Sequence, residues 1–65
     1  MKITLNGKAV ETKAETIKGL LEEQNLKGKP VVVEYNQTAL TASAHEATAL
    51  QEGDVIECFV LGAGG

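Results

Sequence analysis

Sixty-five residues with a formal net charge of −3 and one cysteine describe a single small acidic domain, which has no internal disulfide framework and suits nucleic acid poorly as its main partner. A chain this short buries only about 60% of its unfolded surface, so its stability falls near roughly 3–10 kcal/mol and little is left to build a deep catalytic cleft. A binding or carrier role is favoured over self-sufficient catalysis, and no stretch has the length or apolar purity of a membrane span.

Met1 to Lys13 predicts a β-hairpin. Ile3 and Leu5 alternate with Lys2 and Thr4, and Val10 and Thr12 alternate with Glu11 and Lys13. Asn6-Gly7 between them suits a two-residue turn, because both residues tolerate positive φ. The stretch Glu15 to Leu26 predicts a helix, with Ile17, Leu20, Leu21 and Gln24 at helical spacing. Thr16 or Glu15 is expected to cap its start. Gly19 weakens the helix by about 1 kcal/mol relative to alanine, and is either tolerated or kept for close packing on a sheet. Gly28 is the expected C-cap, and Pro30 starts the next element.

Val31-Val32-Val33-Glu34-Tyr35 is a dense run of β-formers, expected as an interior strand covered on part of both faces. Asn36-Gln37 makes a turn into a short strand at Ala39 to Thr41. Ser43-Ala44-His45-Glu46 fits a capping box, and Gln51-Glu52-Gly53-Asp54 a tight turn. The last strand is expected over Val55 to Leu61. One helix over one face of a mixed four- to five-stranded sheet makes a two-layer α+β domain. The apolar last strand belongs in the middle of that sheet, beside the first strand and parallel to it, because the helix crossover permits such a pairing.

The chemical inventory is sparse. His45 is the only histidine; with Ser43 it makes no convincing hydrolase pair, and it reads as a surface residue beside the capping box. Cys58 shares the face of Ile56 and Val60 and reads as a small core hydrophobe. No residues pair with it for metal or redox work, and no glycine loop has phosphate-binding spacing. Asp54 reads as a turn former. No catalytic or metal-binding residue is expected. All six lysines lie at or before Lys29, and the basic-free remainder carries Glu34, Glu46, Glu52, Asp54 and Glu57. Those carboxylates either solvate the surface or steer the C-terminal end toward a basic partner.

Val55, Phe59 and Leu61 fall on the opposite side of the last strand from Ile56 and Cys58, with Glu57 among them. Either both faces of this strand are buried, or these residues form a partner-docking stripe; exposed apolar patches favour the second reading. Residues 1–61 then form the domain, and Gly62-Ala63-Gly64-Gly65 a flexible tail. Four extended residues reach about 14 Å, and glycines can thread a narrow channel. A frayed terminus is the competing reading.

Several landmarks together carry a resemblance. They are Asn6-Gly7 between two strands, Thr16-Ile17 followed by Leu20-Leu21, Val31 with Val33, Tyr35-Asn36, Gly53-Asp54 before the last strand, and terminal Gly64-Gly65. In this order and spacing the chain resembles the ThiS family of sulfur carriers, within the ubiquitin-like β-grasp superfamily. The resemblance implies that the Gly65 carboxylate is adenylated by a ThiF- or MoeB-like adenylyltransferase, which itself supplies ATP and Mg. A sulfur donor such as a persulfide protein then converts it to a thiocarboxylate, and a ThiG-like thiazole synthase takes the sulfur for thiamine. On this reading the chain binds no cofactor, is no enzyme, contacts neither nucleic acid nor membrane, and works in the cytoplasm. Its N-terminus lacks a signal-peptide pattern, and its lone cysteine fits a reducing compartment. One departure is Gly62-Ala63, where family members often carry an apolar β-branched residue. Two alternatives stand: a carrier for molybdenum or tungsten cofactor or for an amino acid, or a non-carrier β-grasp interaction module.

Overall fold

The computed structural model describes residues 1–61. The expectations for Gly62, Ala63, Gly64 and Gly65 lie outside the described residues. In chain order the elements are β1 (Lys2–Leu5), β2 (Lys8–Glu11), α1 (Ile17–Glu23), β3 (Val31–Tyr35), β4 (Thr38–Leu40), a 3₁₀ turn (Ala42–Ala44) and β5 (Val55–Val60). The strands form one five-stranded sheet in the order β2-β1-β5-β3-β4. Strand β5 lies centrally and parallel to β1, as expected, and its other neighbour is β3, antiparallel. This is the β-grasp arrangement, with α1 across one face.

Both hairpins turn on residues in the left-handed region. Asn6 and Gly7 have φ of 50° and 83°, and Asn36 and Gln37 have 49° and 73°. Two successive positive φ values define the turn whose twist matches antiparallel strands. The two asparagines also reach out to hold β5. Asn6 Oδ1 accepts from Cys58 N–H at 2.9 Å, and Asn36 Oδ1 accepts from Val55 N–H at 2.8 Å.

Helix α1 begins where Thr16, in extended conformation, accepts from Gly19 N–H through its hydroxyl. It ends earlier than Gly28. Asn25 takes the left-handed conformation at φ 61°. Its N–H donates to Glu22 C=O at 3.1 Å, and Leu26 N–H donates to Leu21 C=O at 2.8 Å. That is a Schellman closure, with asparagine in the usual glycine position. The helix-spaced Gln24 is therefore the C-cap and exposed, while Leu26 packs on the core. Gly19 makes its close approach to Ala14 rather than to the sheet; an added Cβ would stand 3.3 Å from Ala14 Cβ.

The core is Ile3 and Leu5 from β1, Ile17, Leu20 and Leu21 from α1, Val33 and Ile56 from the middle strands, with Ala14 and Leu50. Strands β1, β3 and β5 contribute from the helix-facing side only. Thr12, buried just after β2, donates to Glu23 and accepts from Ala14 N–H, tying the hairpin to the last helical turn.

The region after β4 departs from expectation. Ser43 does not cap a helix. It lies inside the 3₁₀ turn, exposed, with its hydroxyl 3.1 Å from that of Thr41, which itself caps nothing through its side chain. His45 is not a surface residue; only 8% of it is exposed. Its backbone carbonyl accepts from Lys18 N–H at 2.9 Å, which docks the turn on the start of α1 and carries the imidazole inward. Asp54 is the turn former anticipated: its carboxylate accepts from Gln51 N–H at 2.8 Å and from the Asn36 amide.

Candidate functional site

A strand in a one-layer sheet shows alternate residues to opposite sides. With α1 on one side, the other side of this sheet has no covering element among the described residues. The register fixes which residues meet there. Thr4 pairs with Ala9 and Val55, Val32 with Phe59, and Glu34 with both Glu57 and Ala39. Val55 is 45% exposed, Phe59 48% and Leu61 51%, so the stripe read from alternation is open rather than buried. Glu57 is exposed among them.

The opposite parity is less uniform than alternation implies. Ile56 is fully buried, Cys58 half-buried against the core, and Val60 is 41% exposed although it shares their side. Helix α1 has seven residues and so extends about 10 Å. It covers the sheet centre but not the end where Val60 pairs with Val31. The last three described residues, Phe59, Val60 and Leu61, are therefore all open apolar surface leading toward Gly64-Gly65.

Charge sharpens the face. Glu34 and Glu57 lie directly across from each other in the antiparallel β3–β5 pair. Like charges in that position repel. Among the described residues neither is in an ion pair; the pairs found are the Met1 amine with Glu11 and Lys18 with Glu46. The role of Glu34 is not legible without the register, because only strand pairing brings it beside Glu57. Composition hints at it only through the absence of lysine after Lys29.

Nothing described assembles into a catalytic group. No hydrogen bond joins Ser43 to His45, and no three of the described His, Cys, Asp and Glu side chains are placed to hold a metal ion. Burial pushes the Cys58 thiol up from its ordinary value, away from the reactive thiolate. A concavity of about 370 Å³ lies on the helix side, near Leu26, Lys29 and His45, away from the stripe. No described helix is long and apolar enough to cross a membrane.

What the described residues offer is a presented strand. The ThiS family model matches residues 3–65. No curated protein matches the chain. Among solved structures, the crystal structure of a thiamine biosynthesis protein (ThiS) from Geobacter metallireducens is similar, with a TM-score of 0.82 and 32% identity over 100% of both chains. With a family match from β1 to the last glycine and a like-folded ThiS structure at that identity, the chain belongs to the ThiS family.

Proposed function

We propose that this protein is a sulfur carrier for thiamine biosynthesis, holding its sulfur as a thiocarboxylate at Gly65. The observation that carries the reading is the family match, which runs through the diglycine to Gly65. A free carboxylate is a poor acyl donor, because its leaving group would be oxide. Attack of a carboxylate oxygen on the α-phosphate of ATP expels pyrophosphate and leaves an acyl-adenylate. Sulfide then displaces AMP to give the thiocarboxylate directly. A persulfide gives an acyl disulfide, which a thiol must cleave to release the thiocarboxylate. In this reading a ThiF- or MoeB-like adenylyltransferase supplies the ATP site, Mg and the proton-transfer groups. A ThiG-like synthase then accepts the sulfur.

The fold supports a division of labour between strand and terminus. Strand β5 is held by β1 at Val55 and Ile56 and by β3 along its whole length, and the sequence Gly62, Ala63, Gly64 and Gly65 follows directly from it. Val55, Glu57, Phe59 and Leu61 form the face that meets the partner. Their exposure supports this assignment, since a domain of this size gains stability by burying apolar groups and has left these open. The test is intact mass after incubation with an adenylyltransferase from the same genome, ATP and a sulfur donor. Replacement of one oxygen by sulfur, abolished when one residue is added after Gly65, is the expected result. Loading of the extended chain would overturn the role of Gly65.

A further inference from the structure

We infer that the last half of β5 is the acceptor for an added strand. An extended segment of the adenylyltransferase lies beside Cys58–Val60, in the lane that β1 vacates. This deepens the carrier reading and rests on it, because the segment belongs to the protein that takes the C-terminus.

The hydrogen-bond parity of β5 makes the case. Its odd-numbered residues face β3: Asn36 N–H donates to Val55 C=O at 2.8 Å, and Leu61 N–H donates to Pro30 C=O at 2.7 Å. Its even-numbered residues face β1. There Asn6 N–H donates to Ile56 C=O at 2.9 Å, and the ladder stops, because the chain turns away at Asn6-Gly7. The Asn6 side chain reaches one step further and accepts from Cys58 N–H. Beyond it, among the described residues, Cys58 C=O, Val60 N–H and Val60 C=O have no partner. A central strand thus becomes a free edge over its final turn of the pleat.

Free edges invite pairing, and proteins blunt them with charge or shortness. The outer edges here follow that rule. Strand β2 carries Lys8 and Glu11, and β4 has only three residues. The β5 edge does not, since it is flanked by Phe59, Val60 and Leu61, all more than two-fifths exposed. Unpaired main-chain donors and acceptors between apolar side chains are the recognition chemistry of strand addition. The neighbouring Glu34 and Glu57, directly opposed, select a segment carrying lysine or arginine. They also disfavour a second copy of this chain, whose matching edge brings the same carboxylates and a net charge of −3. A strand added here leads straight to the five residues after Val60, which span about 17 Å when extended.

Amide-resolved hydrogen exchange tests this, with the protein alone and with the ThiF-type adenylyltransferase from the same genome. Alone, the Val60 amide should exchange quickly while the Leu61 amide, bonded to Pro30, is protected. In the complex, protection of Val60 should rise about tenfold or more. A second arm ligates a synthetic segment 58–65 at Cys58 with the Val60 nitrogen methylated. That nitrogen is unused by the fold, so the circular dichroism and urea midpoint should match those of the unmethylated ligated protein, while kcat/KM for loading falls about tenfold. A complex that forms without Val60 protection, or a methylated chain that loads within about twofold of normal, overturns the inference but leaves the carrier reading intact. Val60 protection that depends on the concentration of the free protein would assign the edge to a second copy instead. An unmodified chain that neither binds nor loads refutes the carrier reading itself, and this inference with it.

Discussion

Replacing Glu57 with glutamine should make the protein more stable and a worse partner at the same time. Glu34 and Glu57 are paired across β3 and β5 in the hydrogen-bonded register, since Asn36–Val55 and Pro30–Leu61 bond two steps and four steps away with the same parity. Such pairs have Cα atoms about 5.5 Å apart with side chains on one face. Two carboxylates about 6 Å apart in a water-like dielectric repel by about 0.7 kcal/mol, and screening near physiological salt trims that to about 0.3 kcal/mol. Glutamine keeps the volume and removes the charge. With a slope of about 1 kcal/mol per molar urea for a small protein, the midpoint should rise by about 0.3 M. In 1 M salt, where the screening length is about 3 Å, the gain should vanish. Loading by the adenylyltransferase should fall a few-fold at low salt and little at high salt. The assays are urea melts followed by circular dichroism and initial rates of thiocarboxylate formation. A variant with the same or lower midpoint would remove the repulsion argument. A variant with unchanged loading at low salt would remove the claim that these carboxylates read a basic partner.

Phe59→Ala tests the apolar part of the face. About half of a phenylalanine, on the order of 100 Å², is left open, and burying it on docking is worth up to about 2 kcal/mol, or roughly 30-fold in kcat/KM. The other half of the side chain is buried by folding and lies across from Val32, so the urea midpoint should fall by about 1 M or more as well, and loading is compared where both proteins are fully folded. Asn6→Ala should cost about 2 kcal/mol, combining the lost bond to Cys58 N–H with a non-glycine residue in the left-handed region. Asn6→Gly should cost about half as much, because it keeps the conformation and loses only the bond; equal costs for both would deny the conformational share. Cys58 gives a pH signature. Its folded thiol pKa is raised by burial, so its contribution to stability is complete below the unfolded value of about 8.5 and is lost as pH rises through the folded value. The urea midpoint should decline over that alkaline window in the parent and not in Cys58→Val; identical profiles would contradict the burial.

Much of this fold is legible in the sequence because its signals are local and agree. Asn6-Gly7 needs positive φ and little else, and Val55 to Val60 is too apolar to sit at an edge. Ile17, Leu20 and Leu21 leave one face for the helix to bury. The misreadings come where a longer-range contact decides. Gly28 is a better C-cap than Asn25 by propensity, yet Leu26 packing on the core pulls the closure forward. Ser43 and Glu46 have capping-box spacing, but the backbone bond from Lys18 to His45 sets the turn and buries the histidine. Val60 has the parity of a core residue and lies past the reach of a seven-residue helix. Alternation along one strand is enough to place Val55, Glu57, Phe59 and Leu61 on the open face, the candidate docking surface. Glu34 and the free edge at Val60 depend on which strands are neighbours and where β1 stops, and neither is written in any single segment.

The central claim is that Gly65 is the substrate of another protein's active site. It is tested most directly by the intact mass of the native chain after incubation with its adenylyltransferase, ATP and sulfide. The account predicts a single oxygen-for-sulfur exchange that tandem fragmentation places on Gly65. Sulfur found on Cys58 instead, or no exchange while a known carrier loads in the same reaction, would contradict it.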